Sequence, residues 1–227
     1  MNVKLISYSQ PSQELLDQNL DDVQDLIAYC ARVSNPNNQY NTETSTKLLN
    51  FLAKHAHWSP FEMVSACLEI ETTRDIARQI LRHRSFSFQE FSQRYANPTQ
   101  DLEFVIRDAR LQDSKNRQNS IDLDDTKMTE RILREMWNEK QADVIQASRE
   151  AYEWAIENGI AKEQARAVLP EGNTMSRMYM NGTIRSWIHY IQLRSGNGTQ
   201  KEHAEIAKVC AEVIANIFPL SKEYASE

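Results

Sequence analysis

The chain has 227 residues, with 26 basic against 32 acidic side chains and a formal net charge of -6, which disfavours a general nucleic-acid binder, usually basic overall. It has five glycines and no GxGxxG or Walker loop, which excludes the usual dinucleotide and P-loop sites, and its three scattered cysteines (Cys30, Cys67, Cys210) exclude a disulfide framework and a CxxC metal knuckle. No apolar run approaches the ~18 residues of a membrane span, and the first residues lack a secretory pattern, so the expectation is a soluble, cytoplasmic chain with one domain over residues 1–227 and no membrane or nucleic-acid partner.

Residues 3–8 alternate and are rich in β-formers, which predicts a short strand. Leu15, Leu16, Leu20, Val23, Ile27 and Cys30 keep a helical period, so one helix is expected across them. Residues 34–46 are rich in Asn and Ser and contain Pro36, the pattern of a loop. A second helix follows over 46–55, and Pro60 turns the chain. Residues 63–72 alternate as a strand, and 74–84 read as a helix. The stretch 86–97 is polar and aromatic without a clear period, and 102–106 reads as a strand. Residues 108–125 are polar and rich in aspartate, which predicts an acidic, mobile surface excursion.

A long helix is expected over 127–158, with Ile132, Met136, Val144, Ile145, Tyr152 and Ala155 in the core, and Gly159 stops it. Helices over 162–169, 183–194 and 200–217 complete a chain read as about two-thirds helix. The few strands are split among the helices. The expected fold class is therefore α+β: mixed helices packed around a small, mainly antiparallel sheet.

The pattern breaks at one place. Arg74, Arg78, Arg82, Arg84 and Arg94 crowd into 21 residues of an acidic chain. A solvated helix face explains Arg74 and Arg78. It does not explain both Arg82 and Arg84, because on an ideal wheel Arg84 falls among Ile76, Ala77, Ile80 and Leu81. A buried guanidinium left without its partner costs roughly 3–5 kcal/mol. So either the helix ends at Leu81, or Arg84 meets a carboxylate or a phosphate. Glu90, Ser92 and Arg94 follow closely, and the mixture suits an anionic ligand with polar ring atoms, such as a nucleotide.

Further downstream, Arg185 and His189 flank the apolar stripe of Ile184, Trp187, Ile188 and Ile191. Arg194 ends that helix, where a cation favours the dipole, and Arg166 reads as a surface arginine. His55 and His57 have the wrong spacing for two helical metal ligands, so no metal is assigned. The cysteines sit in apolar, periodic contexts and read as structural thiols. No catalytic triad can be defended.

Arg82-His83-Arg84, seven residues, then Ser92 matches the signature of the flavin-dependent thymidylate synthases. His57-Trp58-Ser59-Pro60-Phe61-Glu62 resembles the family's upstream segment, as do Ala77-Arg78-Gln79, Ser92-Gln93-Arg94-Tyr95, Ala165-Arg166-Ala167-Val168-Leu169-Pro170, and the helix from Arg185-Ser186-Trp187 to Leu193-Arg194. These matches span about residues 55–205, in the family's order.

The resemblance implies a non-Rossmann flavin site and conversion of dUMP to dTMP without a cysteine nucleophile. Methylenetetrahydrofolate would supply the carbon, and FAD reduced by NADPH the hydride. It implies that Gln79, Ile80, Leu81, Arg82, Glu90, Phe91, Ser92, Gln93, Arg94, Arg166 and Arg194 contact dUMP, with Arg194 stabilising charge on the activated pyrimidine. Ser92 is assigned to binding because no adjacent base is evident. FAD would meet His57, Ser59, Arg82, His83, Arg84, Glu90, Thr183, Ile184, Arg185 and His189. A homotetramer with shared active sites is also implied. The chain departs from the family pattern at Met63, Thr183, His189 and His203, the last standing where Ile is common.

Two other readings compete. One is a flavin- or nucleotide-binding relative without turnover, opposed by the presence of both sets of positions. The other is a helical nucleic-acid binder, opposed by the net charge of -6.

Overall fold

The structure is a computed structural model that describes residues 2–196 and 198–225; Met1, Asn197, Ser226 and Glu227 lie outside the described residues. In chain order the elements are β1 (Asn2–Tyr8), α1 (Gln13–Leu16), α2 (Val23–Ala31), α3 (Ser45–Lys54), β2 (Ser65–Thr73), α4 (Arg74–Ile80), β3 (Ser87–Glu90), α5 (Pro98–Asp101), β4 (Arg110–Gln112), β5 (Ser120–Asp122), α6 (Met128–Glu157), α7 (Lys162–Ala165), β6 (Met175–Thr183), α8 (Ile184–Arg194) and α9 (Lys201–Ile214). Short 3-10 turns cover Ser59–Glu62 and Arg166–Val168.

The main sheet runs β1-β2-β6-β3, and every neighbouring pair is antiparallel. Successive side chains on a strand face opposite ways. On β2 this buries Ala66, Leu68 and Ile70 completely, while Glu69 and Glu71 reach across the other face to Lys4 (3.8 Å) and Arg177 (2.6 Å). β6 turns Ser176, Met178 and Met180 inward in the same way. Helices α4, α8 and α9 cover the apolar face with Ile76, Ile80, Trp187, Ile191, Ile206, Cys210 and Ile214. Burying one Leu or Ile side chain contributes about 1.5–3 kcal/mol, so this contiguous cluster, more than helix propensity, seats the helices on the sheet. Trp187 donates its indole N–H to the Ala66 carbonyl at 3.0 Å, which satisfies the one polar group it brings into the core.

The α+β class is as expected, but several elements differ. Helix occupies under half of the chain. The helix expected across Leu15 to Cys30 breaks at Asn19, which takes a positive φ of 61°, and restarts where the Asp22 carboxylate caps the Asp25 N–H at 2.7 Å. Residues 102–106 form no strand beyond a bridge from Phe104 to Thr174, because their continuation is taken up by α6: the Arg107 N–H donates to Gln141 Oε1 at 2.8 Å. β3 and β6 were not anticipated. Methionines are weak strand formers and Asn181-Gly182 reads locally as a turn, so only pairing along the full length of β2 makes β6 a strand.

Helix α6 buries Tyr152 and Ala155 as expected, whereas Ile132, Met136 and Val144 are 42%, 54% and 50% exposed. The C-terminal half of the helix meets α7 to close a second cluster with Ala165 and Leu169, and mid-helix Gln141 is buried against Arg107 and Asn173. The acidic segment 108–125 contains the β4–β5 hairpin and is tied down. Glu202 at the start of α9 meets Arg110 at 2.6 Å and Arg107 at 2.9 Å, and Lys201 meets Asp122 at 2.9 Å.

Gly182 sits where β6 passes under Phe86; a Cβ there would lie 2.4 Å from Phe86 Cδ1. The Phe86 ring is itself packed 4.8 Å from Trp187, so it has little room to give. Gly182→Ala is expected to lower unfolding stability by about 1–3 kcal/mol, measured by chemical denaturation, while an unchanged midpoint would show that Phe86 is loosely held.

Candidate active site

β2 runs directly into α4 at Thr73, and β6 runs directly into α8 at Thr183. Because the two strands are antiparallel in full register, from Ser65↔Thr183 to Thr73↔Met175, the two helices start at opposite ends of the sheet and return across the same face. Their C-terminal ends therefore meet. Thr183 caps α8 through its Oγ1, which accepts the Ser186 N–H at 3.2 Å.

At that meeting point Arg194 donates from Nε to His83 Nε2 at 2.9 Å. His83 also packs edge-on against Tyr190 at 5.0 Å. Burial first, and Arg194 second, push the His83 ring down to about 4 from its ordinary 6.5, so it is neutral and able to accept. The bond fixes the Arg194 side chain through Nε. Beside it, Gln79 of α4 donates to Gln200 Oε1 at 2.8 Å, and its Oε1 lies 3.2 Å from His203 Nδ1. Helix α4 ends at Ile80 with Leu81 as its cap, so Arg82 and Arg84 are exposed in the turn that follows; of the two alternatives for Arg84, the helix end is the one realised. Ile80 is fully buried in the core and Leu81 packs against it, so both support the site from beneath.

A second group lies at the far end of β3. Glu90 accepts from Ser176 Oγ at 2.9 Å and stands 3.5 Å from Arg74. Arg74 is 6% exposed, which corrects the solvated-face expectation: the α4 N-terminus is clamped against β3 and Glu171, and burial pushes the Arg74 guanidinium down. Arg78 stays on the surface with Glu171 at 3.4 Å, as expected. The Phe91 N–H bonds to the Arg177 carbonyl at 2.8 Å and leads the chain into Ser92, whose Oγ accepts the Arg94 N–H at 3.3 Å. Gln93 is 4% exposed and its Nε2 has no hydrogen-bond partner among the described residues. Arg94 reaches Glu163 at 3.2 Å, close to the turn that carries Arg166.

A third group forms where Ser59–Glu62 packs on the first half of α8. Trp58 meets His189 edge-on at 4.8 Å, and Glu62 pairs with Arg185 at 2.5 Å. His57, Ser59 and His189 are exposed beside them. Burial and then Arg185 lower the His189 pKa. Ile184 is fully buried, with its N–H bonded to the Val64 carbonyl at 2.9 Å, so its side chain belongs to the core.

Arg82, Arg84, Arg166 and Arg194 have no ion-pair partner among the described residues, although acidic side chains outnumber basic ones. Guanidinium groups without a carboxylate partner and a buried unpaired amide are donors suited to an anionic ligand. The set fits a phosphate-bearing nucleotide and a pyrophosphate-bearing cofactor such as FAD. No side-chain hydrogen bond or ion pair joins the three groups to one another among the described residues. No group of three His, Cys, Asp or Glu placed to hold a metal occurs among them either.

Sequence reasoning missed Arg74 and Tyr190. Arg74 lies on the face of α4 that looked solvated, and Tyr190 reads as plain core. The signal for His203 was its departure from the family pattern.

The fold and the arginine-rich groups together suit a protein that takes anionic ligands, with no GxGxxG fingerprint in its sequence. The family profile described as "Thymidylate synthase complementing protein" matches residues 14–220. The chain is 47% identical over 222 residues to the probable flavin-dependent thymidylate synthase of Paramecium bursaria Chlorella virus 1, covering 96% of both chains. It is 49% identical over 219 residues to the flavin-dependent thymidylate synthase of Synechocystis sp. (strain ATCC 27184 / PCC 6803 / Kazusa), again covering 96% of both. Among solved structures, a UMP/dUMP methylase, PolB, from Streptomyces cacaoi bound with 5-Br dUMP shares the fold, with a TM-score of 0.77 at 22% identity over 98% of this chain and 93% of that one. The chain belongs to the flavin-dependent thymidylate synthases.

Half-buried His83 and buried His203 make stability depend on pH. His83 and His203 have folded pKa values of about 4 and about 3 against 6.5 when free, and burial is the first cause in each. Below pH 6.5 the unfolded chain takes up protons that the folded chain refuses, so their contribution, complete above that pH, is lost as the pH falls toward 4 and 3. The melting temperature is expected to drop between pH 7 and pH 5, before most carboxylates titrate, and to drop less in His83→Asn. Parallel curves for the two proteins would show that His83 is freely protonated in the fold.

Proposed function

We propose that this chain converts dUMP to dTMP as one catalytic domain, with methylenetetrahydrofolate as carbon donor and FAD, reduced by NADPH, as its redox cofactor. The observation that carries the reading is the set of four arginines without carboxylate partners among the described residues, Arg82, Arg84, Arg166 and Arg194, drawn from three segments of an acidic chain. Binding an anion there removes an electrostatic imbalance that the protein does not correct by itself.

Ser92, Gln93, Arg94 and Arg166 hold the nucleotide, with charge-assisted bonds to its phosphate as the strong ones. Glu90, with one oxygen occupied by Ser176, offers the other to a hydroxyl of the substrate. Gln79 and Arg82 complete that group. Arg194, anchored through Nε on His83, keeps its terminal nitrogens for the pyrimidine and stabilises the negative charge that develops as the ring is attacked. His57, Ser59, Arg84, Arg185 and His189 hold the cofactor, which supplies the hydride when bound.

No thiol takes part. Burial pushes Cys30 and Cys67 up and Cys210 far up, so none presents a ready thiolate. The three free cysteines suit a reducing compartment, and we place the enzyme in the cytoplasm.

The separation of the three groups within one chain favours active sites completed between subunits. The exposed stripe of α6, with Leu133 at 44%, Trp137 at 45% and Val144 at 50%, supplies the apolar surface for a homotetramer. Size-exclusion chromatography with light scattering is expected to report four chains; a monomer at micromolar concentration would overturn the shared-site reading.

The activity is tested by incubating the purified protein with FAD, desalting and recording its visible spectrum. A retained flavin spectrum is expected, with NADPH oxidation coupled to dTMP formation. Arg194→Ala is expected to keep the flavin and to lose about 100-fold or more in turnover. A colourless protein would remove the cofactor assignments, and full activity in the variant would remove Arg194 from the chemistry.

A further inference from the structure

Helix α9 faces the core with Ile206, Ala207, Cys210 and Ile214, and two polar residues are buried at its start: Glu202, answered by Arg107 and Arg110, and His203. His203 is fully buried. Both ring nitrogens are engaged: Nε2 lies 3.2 Å from the Tyr190 hydroxyl, and Nδ1 lies 3.2 Å from Gln79 Oε1.

The direction of these bonds can be worked out. Tyr190 is 1% exposed, and burial raises its phenol well above the ordinary value, so it keeps its proton. That O–H must be donated, and His203 Nε2 is the acceptor that the described residues offer. A neutral imidazole carries one N–H, so the proton sits on Nδ1 and is donated to Gln79 Oε1. The Gln79 amide nitrogen then faces the opposite way, giving one N–H to Gln200 Oε1 at 2.8 Å and keeping the second.

We propose that His203 is a positioning residue that, with Tyr190, locks the Gln79 side-chain amide in the orientation that presents an N–H to the bound nucleotide. This rests on the reading that Gln79 faces dUMP. The chemistry of the ligand supports the direction, since phosphate oxygens and the two uracil carbonyls are acceptors. A flipped amide would turn its own carbonyl toward them. An aliphatic residue at position 203 leaves that flip unopposed, and the apolar face of α9 alone does not choose between the two amide orientations.

The test compares two variants of similar polarity. Asparagine at position 203 places an N–H where Nδ1 stands, whereas glutamine reaches instead toward the Nε2 position. dUMP affinity is measured by calorimetry on the FAD-loaded protein, with melting temperature and flavin retention recorded alongside. His203→Asn is expected to bind dUMP close to wild type, and His203→Gln and His203→Leu about tenfold more weakly, the loss of one well-placed hydrogen bond. Tyr190→Phe is expected to fall between them, because the Nδ1–H tautomer remains available but is no longer enforced. Equal affinities for the Asn and Gln variants would overturn the relay while leaving the substrate reading intact. Wild-type protein that retains flavin but does not bind dUMP would overturn both.

Discussion

The pairing of β2 with β6 is the constraint on which the rest of the molecule depends. Nine consecutive residues of one strand face nine of the other, and each strand passes without a loop into a helix. Antiparallel pairing puts the two strand-to-helix junctions at opposite ends of the sheet. Both helices must then fold back over the same apolar face, since Ala66, Leu68, Ile70, Met178 and Met180 have to be covered. Two short amphipathic helices returning across one face bring their C-terminal ends together. That is why His83, just past the end of α4, meets Arg194, the last residue of α8, 111 residues away in sequence.

Electrostatics then separates the roles of chemically similar residues. Arg74, Arg107 and Arg110 are half-buried or buried and answered by carboxylates, and they hold the scaffold together. Arg82, Arg84, Arg166 and Arg194 are not answered by any carboxylate among the described residues. The two sets cannot be told apart by residue type, and the difference lies in what the neighbouring elements bring within reach. The same holds for the histidines. His83 and His203 are kept neutral by burial and so act as hydrogen-bonding parts of fixed polarity, whereas His57 and His189 stay at the surface beside Ser59.

The acidic hairpin and α6 show how far local pattern goes. The segment 108–125 has the composition of a mobile excursion, yet Glu202 and Lys201 anchor it through Arg110 and Asp122. Nothing within the segment announces those partners, which lie some 80 to 90 residues away. α6 has the periodicity of a core helix over its whole length, but among its apolar side chains the single chain buries Tyr152 and Ala155 and leaves Ile132, Met136 and Val144 exposed. Periodicity tells which face of a helix is apolar. It does not tell whether the cover comes from the same chain or another.

By itself the sequence determined the fold class, the family and the chemical character of the site, because residue types at fixed spacings carry that information locally: Arg82-His83-Arg84 before Ser92, the alternation of β2, the caps and stops of the helices. Tertiary structure alone decided the strand role of β6, the burial of Arg74, the end of α4 before Arg84, and the partners of Arg194 and Gln79. Each of these depends on a segment distant in the chain. Strand identity comes from a paired neighbour, the state of a charge from its desolvation and counter-ion, and the direction of a hydrogen bond from which groups packing leaves within 3 Å or so. Those quantities exist only once the sheet has brought its helices together.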